Sequence, residues 1–230
     1  MTDRTEATVF VVDDDQYVRT MLFHLFKDAG LNVELHASAQ EFLDSYRPER
    51  AGCLVLDVRM PGISGLAFLE QMRFRSVFLP VILFSGHADV PMVVRAFKRG
   101  AFDFVEKSEE KKPYLLQRVK QAIMQDLRAQ RRRLYYQSLS KRLAQITDRE
   151  WEVIDRIMKG QRNKIIASEL SVSIPTVETH RKNIMEKLQA QNLSELLRMV
   201  MFSREHGQWF QRRRLEDNLY LMRRRDDIAA

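Results

Sequence analysis

Five short apolar runs rich in β-branched residues alternate with segments whose apolar side chains recur at helical spacing. This alternation, over the first 120 residues, restricts the fold more than any other feature. Residues 8–12 (TVFVV) read as a strand buried on both faces. Val18, Leu22, Leu25, Phe26 and Ala29 follow at three- and four-residue intervals, and Gly30 ends that helix. The cycle repeats with strands at 32–36, 53–56, 79–84 and 102–105, and helices at 39–46, 64–74, 90–99 and from 113. Parallel strands need a crossover, and a helical crossover must pack back onto the sheet. Residues 1–120 are therefore expected to form an α/β domain: a five-stranded parallel sheet with helices on both faces.

In such a sheet, ligands sit beyond the carboxyl ends of the strands. Strand one ends in Asp13, Asp14 and Asp15, strand three in Asp57, strand four in Ser85, and strand five near Lys107. Each alone has an ordinary explanation: a strand-end Asp makes turns or caps helices, and a lysine there faces solvent. Together they place carboxylates, a hydroxyl and a cation at one point. Clustered carboxylates stay ionised only if a cation neutralises them, and oxygen ligands at a shallow site suit Mg²⁺. A carboxylate beside Mg²⁺ is a good phosphoryl acceptor, with the lysine and hydroxyl left to hold phosphoryl oxygens.

The charge is divided unevenly. Residues 1–120 carry 16 basic and 17 acidic side chains, while 121–230 carry 22 and 14, a net of +8. A basic back half suits a polyanionic partner as well as a solvated surface. No apolar run approaches the ~18 residues of a membrane span, and MTDRTEAT has no apolar signal core. The single cysteine, Cys53, leaves no internal disulfide. A cytoplasmic protein with no membrane partner is expected.

The back half reads as helical. No Gly or Pro falls between 114 and 146, and Leu116, Val119, Ile123 and Leu127 form one stripe. One helix over 113–146 would be about 50 Å long; two shorter helices broken near 128–134 are the alternative. Leu134, Leu139, Leu143 and Ile146 keep register too loosely to establish a coiled coil. Thr147 and Glu150 have capping-box spacing, and Gly160 closes the helix they open. A helix at 163–170, a four-residue turn, a helix at 174–188 and a fourth from 193 complete an all-α helix-turn-helix unit. The domains are thus 1–120, a helical linker 121–146, a helix-turn-helix unit 147–206, and a C-terminal helical extension 207–230 with Leu215, Leu219 and Met222 on one stripe.

Two stretches resemble known families. VFVVDDD (9–15), LVLDVRMPGISG (54–65), VILFSGHADVPMVVRAFKRGAFDF (81–104) and VEK (105–107) resemble the receiver domain of two-component response regulators, and SGHADVP with GAFDFVEK resembles the FixJ branch. The resemblance implies a flavodoxin-like fold with Asp57 as phosphoacceptor. It also implies Asp13, Asp14, Asp57 and the Arg59 carbonyl on Mg²⁺, Ser85 as switch hydroxyl, Phe104 as switch aromatic and Lys107 as phosphate-binding lysine. Arg59 and His87 would set the lifetime of the phosphorylated form. The family usually has proline, often after a cis bond, where this chain has Ser108. A cis bond there would cost ~2.5–4 kcal/mol, so either the bond is trans and the loop has moved, or the surroundings supply that energy.

ITDREWEVIDRIMKGQRNKIIASELSVSIPTVETHRKNIMEKL (146–188) resembles the LuxR-type DNA-binding domain of NarL/FixJ regulators. That resemblance implies base contacts from Glu178, Thr179 and Lys182, and phosphate contacts from Arg181, Asn183 and Lys164. Ile165 and Ser171 depart from the common pattern, which has an acid and a glycine there. The implied function is a phosphorylation-dependent transcription regulator. A sensor histidine kinase would phosphorylate it, and the phosphorylated homodimer would bind promoter DNA and act on RNA polymerase. It would not be an enzyme beyond self-phosphotransfer and autodephosphorylation. The alternatives are a receiver controlling a protein- or RNA-binding module, although no RNA-reading aromatic platform appears, and a Mg²⁺-dependent phosphatase with an Asp nucleophile. The phosphatase needs a second Asp two residues after the nucleophile as general acid, where this chain has Arg59.

Overall fold

The structure is a computed structural model that describes residues 7–72, 74–75 and 77–205; the extension at 207–230 lies outside the described residues. The chain divides into two compact units between Arg133 and Leu134. In the first unit the elements are β1 (Thr8–Val12), α1 (Gln16–Asp28), β2 (Asn32–His36), α2 (Ala39–Ser45), β3 (Gly52–Asp57), α3 (Gly65–Met72), β4 (Val81–Ser85), α4 (Val90–Lys98) and β5 (Asp103–Glu106). All five strands are parallel, in the order β2-β1-β3-β4-β5. β4 begins two residues later than the apolar run suggests. Pro80 has no N–H to give to the ladder, and only its carbonyl takes part, accepting from Leu54 N at 3.0 Å.

Alternate side chains of each strand build two cores, because successive residues point to opposite faces. Phe10, Val12, Leu54, Leu56 and Leu83 pack with Phe42, Phe68 and Ala96 of α2, α3 and α4. Val9, Val11, Val55, Ile82 and Phe84 pack on the other face with Leu22 and Phe26 of α1, and with Leu115, Val119 and Ala122.

The last three residues belong to α5 (Lys112–Leu143), one unbroken helix of 32 residues, or about 48 Å. The break considered near 128–134 does not occur. Leu115 is a core residue that the sequence stripe omitted. A buried acid also ties α5 to the sheet: Asp126 accepts the Gly52 N–H at 3.0 Å and pairs with Arg133 at 3.3 Å. Residues 121–143, set apart as linker in the sequence, are shared between the units.

In the second unit, Leu139 of α5 joins a core with α6 (Asp148–Met158), α7 (Asn163–Glu169), α8 (Ile174–Leu188) and α9 (Leu193–Glu205). Thr147 and Glu150 form the expected capping box. Ser171 takes φ 55° in the turn between α7 and α8, a left-handed conformation that glycine adopts at less cost.

Among the described residues of the first unit, His36 is a buried side chain with unused proton sites. It is buried against the Phe10 and Phe42 rings, and neither ring nitrogen has a hydrogen-bond partner. Burial holds its pKa below the ordinary 6.5, against the opposite pull of Glu41 and Glu34. The folded protein therefore keeps His36 neutral, while the unfolded chain takes up a proton below pH 6.5. Stability is expected to decline as pH falls from about 6.5 toward the folded pKa, by at most ~1.4 kcal/mol per pH unit. Urea unfolding of wild type and His36→Leu at pH 7.5 and 5.5 checks this. An equal decline in both would show that His36 is not the group responsible.

Candidate functional site

The carboxyl ends of β1, β3, β4 and β5 open onto one cavity of about 500 Å³. It lies where the strand order reverses, at the junction of β1 and β3, the expected place for a ligand in an open parallel sheet. Gly65 permits this junction. Its N–H donates to Val58 O at 3.0 Å, and a Cβ there would lie 2.1 Å from the Asp57 carbonyl oxygen.

Backbone hydrogen bonds fix the acids. Asp13 is buried; its N–H donates to His36 O at 3.2 Å, and its Oδ1 accepts from Asp15 N at 3.0 Å. Asp15 caps α1 through Tyr17 N, and Asp14 is exposed. Asp57 ends β3, buried, with Oδ2 accepting the Arg59 N–H at 2.9 Å. Lys107 continues β5: its N–H donates to Ser85 O at 2.8 Å, and its ammonium lies 2.7 Å from both Asp13 Oδ2 and Asp57 Oδ1. The Lys107–Ser108 bond is trans. Ser108 N donates to Glu106 O at 2.9 Å in a tight turn, so the lysine reaches the acids without the proline of the family pattern.

Ser85 ends β4, buried, and donates its hydroxyl to His87 O at 2.9 Å. Phe104, in the middle of β5, is half-buried against the α2–α4 core. Arg59 and His87 both line the cavity.

The charges are mutually adjusted. Burial raises the Asp13 pKa, and Asp57 adds to this, while Lys107 and the Asp15 N–H pull it down. Burial would lower Lys107, but Asp13 and Asp57 outweigh it and hold the ammonium above its ordinary value. Asp13, Asp14 and Asp57 bring one carboxylate oxygen each within 4.8 Å of the others. Asp13 Oδ2, though near the ammonium, has no hydrogen bond of good geometry. An all-oxygen anionic set with spare acceptor capacity fits a hard divalent cation.

The second site is on α8. Val177, Ile184 and Leu188 are buried in the core. Glu178, Thr179 and Lys182 are exposed, Arg181 and Asn183 half-buried, and Lys164 exposed on α7. Thr179 donates its hydroxyl to Pro175 O at 3.0 Å, so it offers outward only a lone pair and a methyl group. A part-buried ion pair ties α8 to α6: Lys187 donates to both carboxylate oxygens of Glu150, at 2.8 and 2.6 Å. The capping-box spacing identified Glu150 as a cap but carried no sign of this pairing. Asp103 was also missed. It accepts from the Tyr114 hydroxyl at 2.9 Å and pairs with Arg118, tying β5 to α5.

Fold and sites define a receiver joined to a helix-turn-helix DNA-binding domain. The receiver match is to the model described as response regulator receiver domain, over residues 9–120, and the second is to bacterial regulatory proteins of the luxR family, over 144–200. The chain belongs to the NarL/FixJ type of two-component response regulator and is a phosphorylation-dependent transcription regulator. It is 39% identical over 197 residues to the transcriptional regulatory protein FixJ of Bradyrhizobium diazoefficiens, covering 86% of this chain and 96% of the relative. It is 38% identical over 206 residues to the response regulator protein TodT of Pseudomonas putida, covering 87% of each. Among solved structures, the response regulator StyR superposes with a TM-score of 0.79 at 41% identity, covering 85% of this chain and 98% of that one. Full-length FixJ from B. japonicum gives 0.52 at 38% identity, with 85% and 96% covered. A receiver implies a kinase partner and a luxR-type domain implies DNA binding. Among the described residues no helix is long and apolar enough to cross a membrane.

Glu150 also makes the second unit acid-sensitive. Burial raises its pKa, but Lys187 and the Thr147 N–H and hydroxyl together pull it below the ordinary 4.5. The pair's stabilisation is therefore complete above about pH 4.5 and is lost as pH falls through the depressed folded value. Glu150→Ala is expected to destabilise the unit by about 2 kcal/mol. That is below the ~3–5 of a fully buried pair, because the Lys187 side chain is 31% exposed and can reach water. Urea unfolding followed by helical signal checks this; a loss under ~0.5 kcal/mol, the range of ordinary surface changes, would rule the pair out as a determinant.

Proposed function

We propose that Asp57 accepts the phosphoryl group of a sensor histidine kinase, and that this controls DNA binding by α8 through a homodimer. The observation that carries the reading is the Lys107 ammonium, 2.7 Å from both Asp13 and Asp57. Asp13, Asp14, Asp57 and the Arg59 carbonyl would hold Mg²⁺, which when bound neutralises charge on the transferring group. An Asp57 oxygen attacks phosphorus, the bond to the kinase's phosphohistidine nitrogen breaks, and the imidazole leaves with its electron pair. Lys107 then pairs with a phosphoryl oxygen in place of a carboxylate. Ser85 turns its hydroxyl from the His87 carbonyl to a second phosphoryl oxygen. Arg59 and His87, at the cavity wall, govern how water reaches the phosphoryl group and so its lifetime. Apart from this transfer and its hydrolysis, the protein carries out no catalysis.

The shift of Ser85 opens space for Phe104 to turn inward, moving the population between two states of the adjoining surface. That surface includes Val90, Val94 and Phe97 of α4, spaced i, i+4, i+7 and all exposed, Val90 at 77%. A second copy covering this stripe gives a two-fold dimer, which suits two half-sites on promoter DNA. There, Glu178, Thr179 and Lys182 read bases, and Arg181, Asn183 and Lys164 hold phosphates. A promoter-bound dimer is then placed to act on RNA polymerase.

Two outcomes test this. With acetyl phosphate and Mg²⁺, the protein is expected to gain one phosphoryl group by intact mass. Asp57→Asn should gain none, and modification of that variant at the wild-type rate would refute the assignment. Phe97→Arg, at an exposed position, should be phosphorylated normally yet remain monomeric by sedimentation under conditions where wild type doubles its mass. Dimerisation of this variant as tight as wild type would show that the α4 stripe is not the interface.

A further inference from the structure

The first turn of α8 meets the base edges in a helix-turn-helix, where N-terminal residues of the recognition helix enter the major groove. Here that turn is Ser173-Ile174-Pro175-Thr176. Its polar groups are turned on one another. The Ser173 hydroxyl oxygen accepts the Thr176 N–H at 3.2 Å, and the two hydroxyls lie 2.8 Å apart. The Thr179 hydroxyl donates to the Pro175 carbonyl, and Pro175 has no N–H. The side chain held outward is aliphatic: Ile174 is 42% exposed, although Val177, Ile184 and Leu188 already fill the core. Ile174 lies one turn before Glu178 and two before Lys182, so at i, i+4 and i+8 the three share one side of the helix.

A single exposed isoleucine is ordinary on a protein surface; its position is what distinguishes this one. The major-groove edge of DNA carries one apolar group, the 5-methyl of thymine. We propose that Ile174 is a specificity-determining residue that reads a thymine methyl beside the base read by Glu178. The inference rests on the DNA-reading role of α8 given above. Glu178 and Lys182 discriminate by hydrogen bonds, and Ile174 discriminates by removing apolar area from water, which needs neither donor nor acceptor from a turn whose own are largely engaged.

The test uses the full-length protein phosphorylated with acetyl phosphate. A preferred site is selected from a randomised duplex pool, and its thymines are then replaced one at a time by deoxyuridine, which lacks only the methyl group. Wild type is expected to lose about fourfold in affinity per half-site at one dyad-related position, the equivalent of one buried methyl group. Ile174→Ser should bind the thymine and uracil duplexes equally at that position, and Ile174→Val should keep most of the preference. Met201→Ser, at an exposed residue of α9, should discriminate as wild type does. If no thymine is methyl-sensitive for wild type, or if Ile174→Ser retains the wild-type ratio, the proposal is overturned. The broader reading fails separately: should Glu178→Ala and Lys182→Ala leave the selected sequence unchanged, α8 is not the reading helix, and the role of Ile174 falls with it.

Discussion

Carboxylates gathered at the ends of a parallel sheet repel one another, and the receiver half of this protein depends on how that repulsion is compensated. β1 and β3 are neighbours in register, so the acids that follow Val12 and Leu56 must lie close together. Burial makes the closeness costlier, as the raised pKa of Asp13 shows. A single ammonium offsets it, from a strand that does not touch either of the two: β5 pairs with β4 alone. Lys107 is held there by its N–H on Ser85 O, so the residue that balances the charge is anchored to the residue whose hydroxyl lies at the same cavity. At the wall of this cavity, β4 and β5 are thus joined through the two residues that face it.

What lies outward from β5 is α5. Asp103, next to Phe104, holds Tyr114 and Arg118 of the first turns of that helix. Fifteen residues beyond Lys111, Asp126 fastens it again, at the first residue of β3. The helix then continues without a break, and Leu139 is a core residue of the second unit. Each unit thus anchors its own part of α5: Leu115, Val119 and Ala122 in the core of the first, Leu139 in that of the second.

Much of this was legible in the sequence, for particular reasons. Burial on both faces gives parallel strands continuous apolar runs, and the strand-end rule then selects Asp13, Asp57, Ser85 and Lys107 without any knowledge of contacts. Capping chemistry located the start of α6, because Thr147 and Glu150 bond within a few residues of themselves. What was not legible is long-range and polar. Asp126 and Gly52 are 74 residues apart, and Glu150 and Lys187 are 37 apart; no periodicity marks either. The continuity of α5 was left open because a basic run such as RAQRRR is as compatible with an exposed helix as with a break. The start of β4 was misplaced because Leu79 and Pro80 are apolar, yet Pro80 cannot donate to the ladder.

The two units use their polar groups in opposite ways. Around Asp57 the partners can be exchanged: the Ser85 hydroxyl rests on a carbonyl two residues away, and Lys107 divides its charge between two acids. All of these groups line the same cavity, so an anion entering it meets both the ammonium and the hydroxyl. Around α8 the partners are committed. Glu150 is 3% exposed and spends both oxygens on Lys187 and Thr147, while Ser173, Thr176 and Thr179 are bonded along their own helix. A reading surface needs this, since a side chain that can repack can accept more than one base. The proposed switch thus rests on contacts that line a cavity open to an entering group, and the proposed reading helix on contacts made within its own unit.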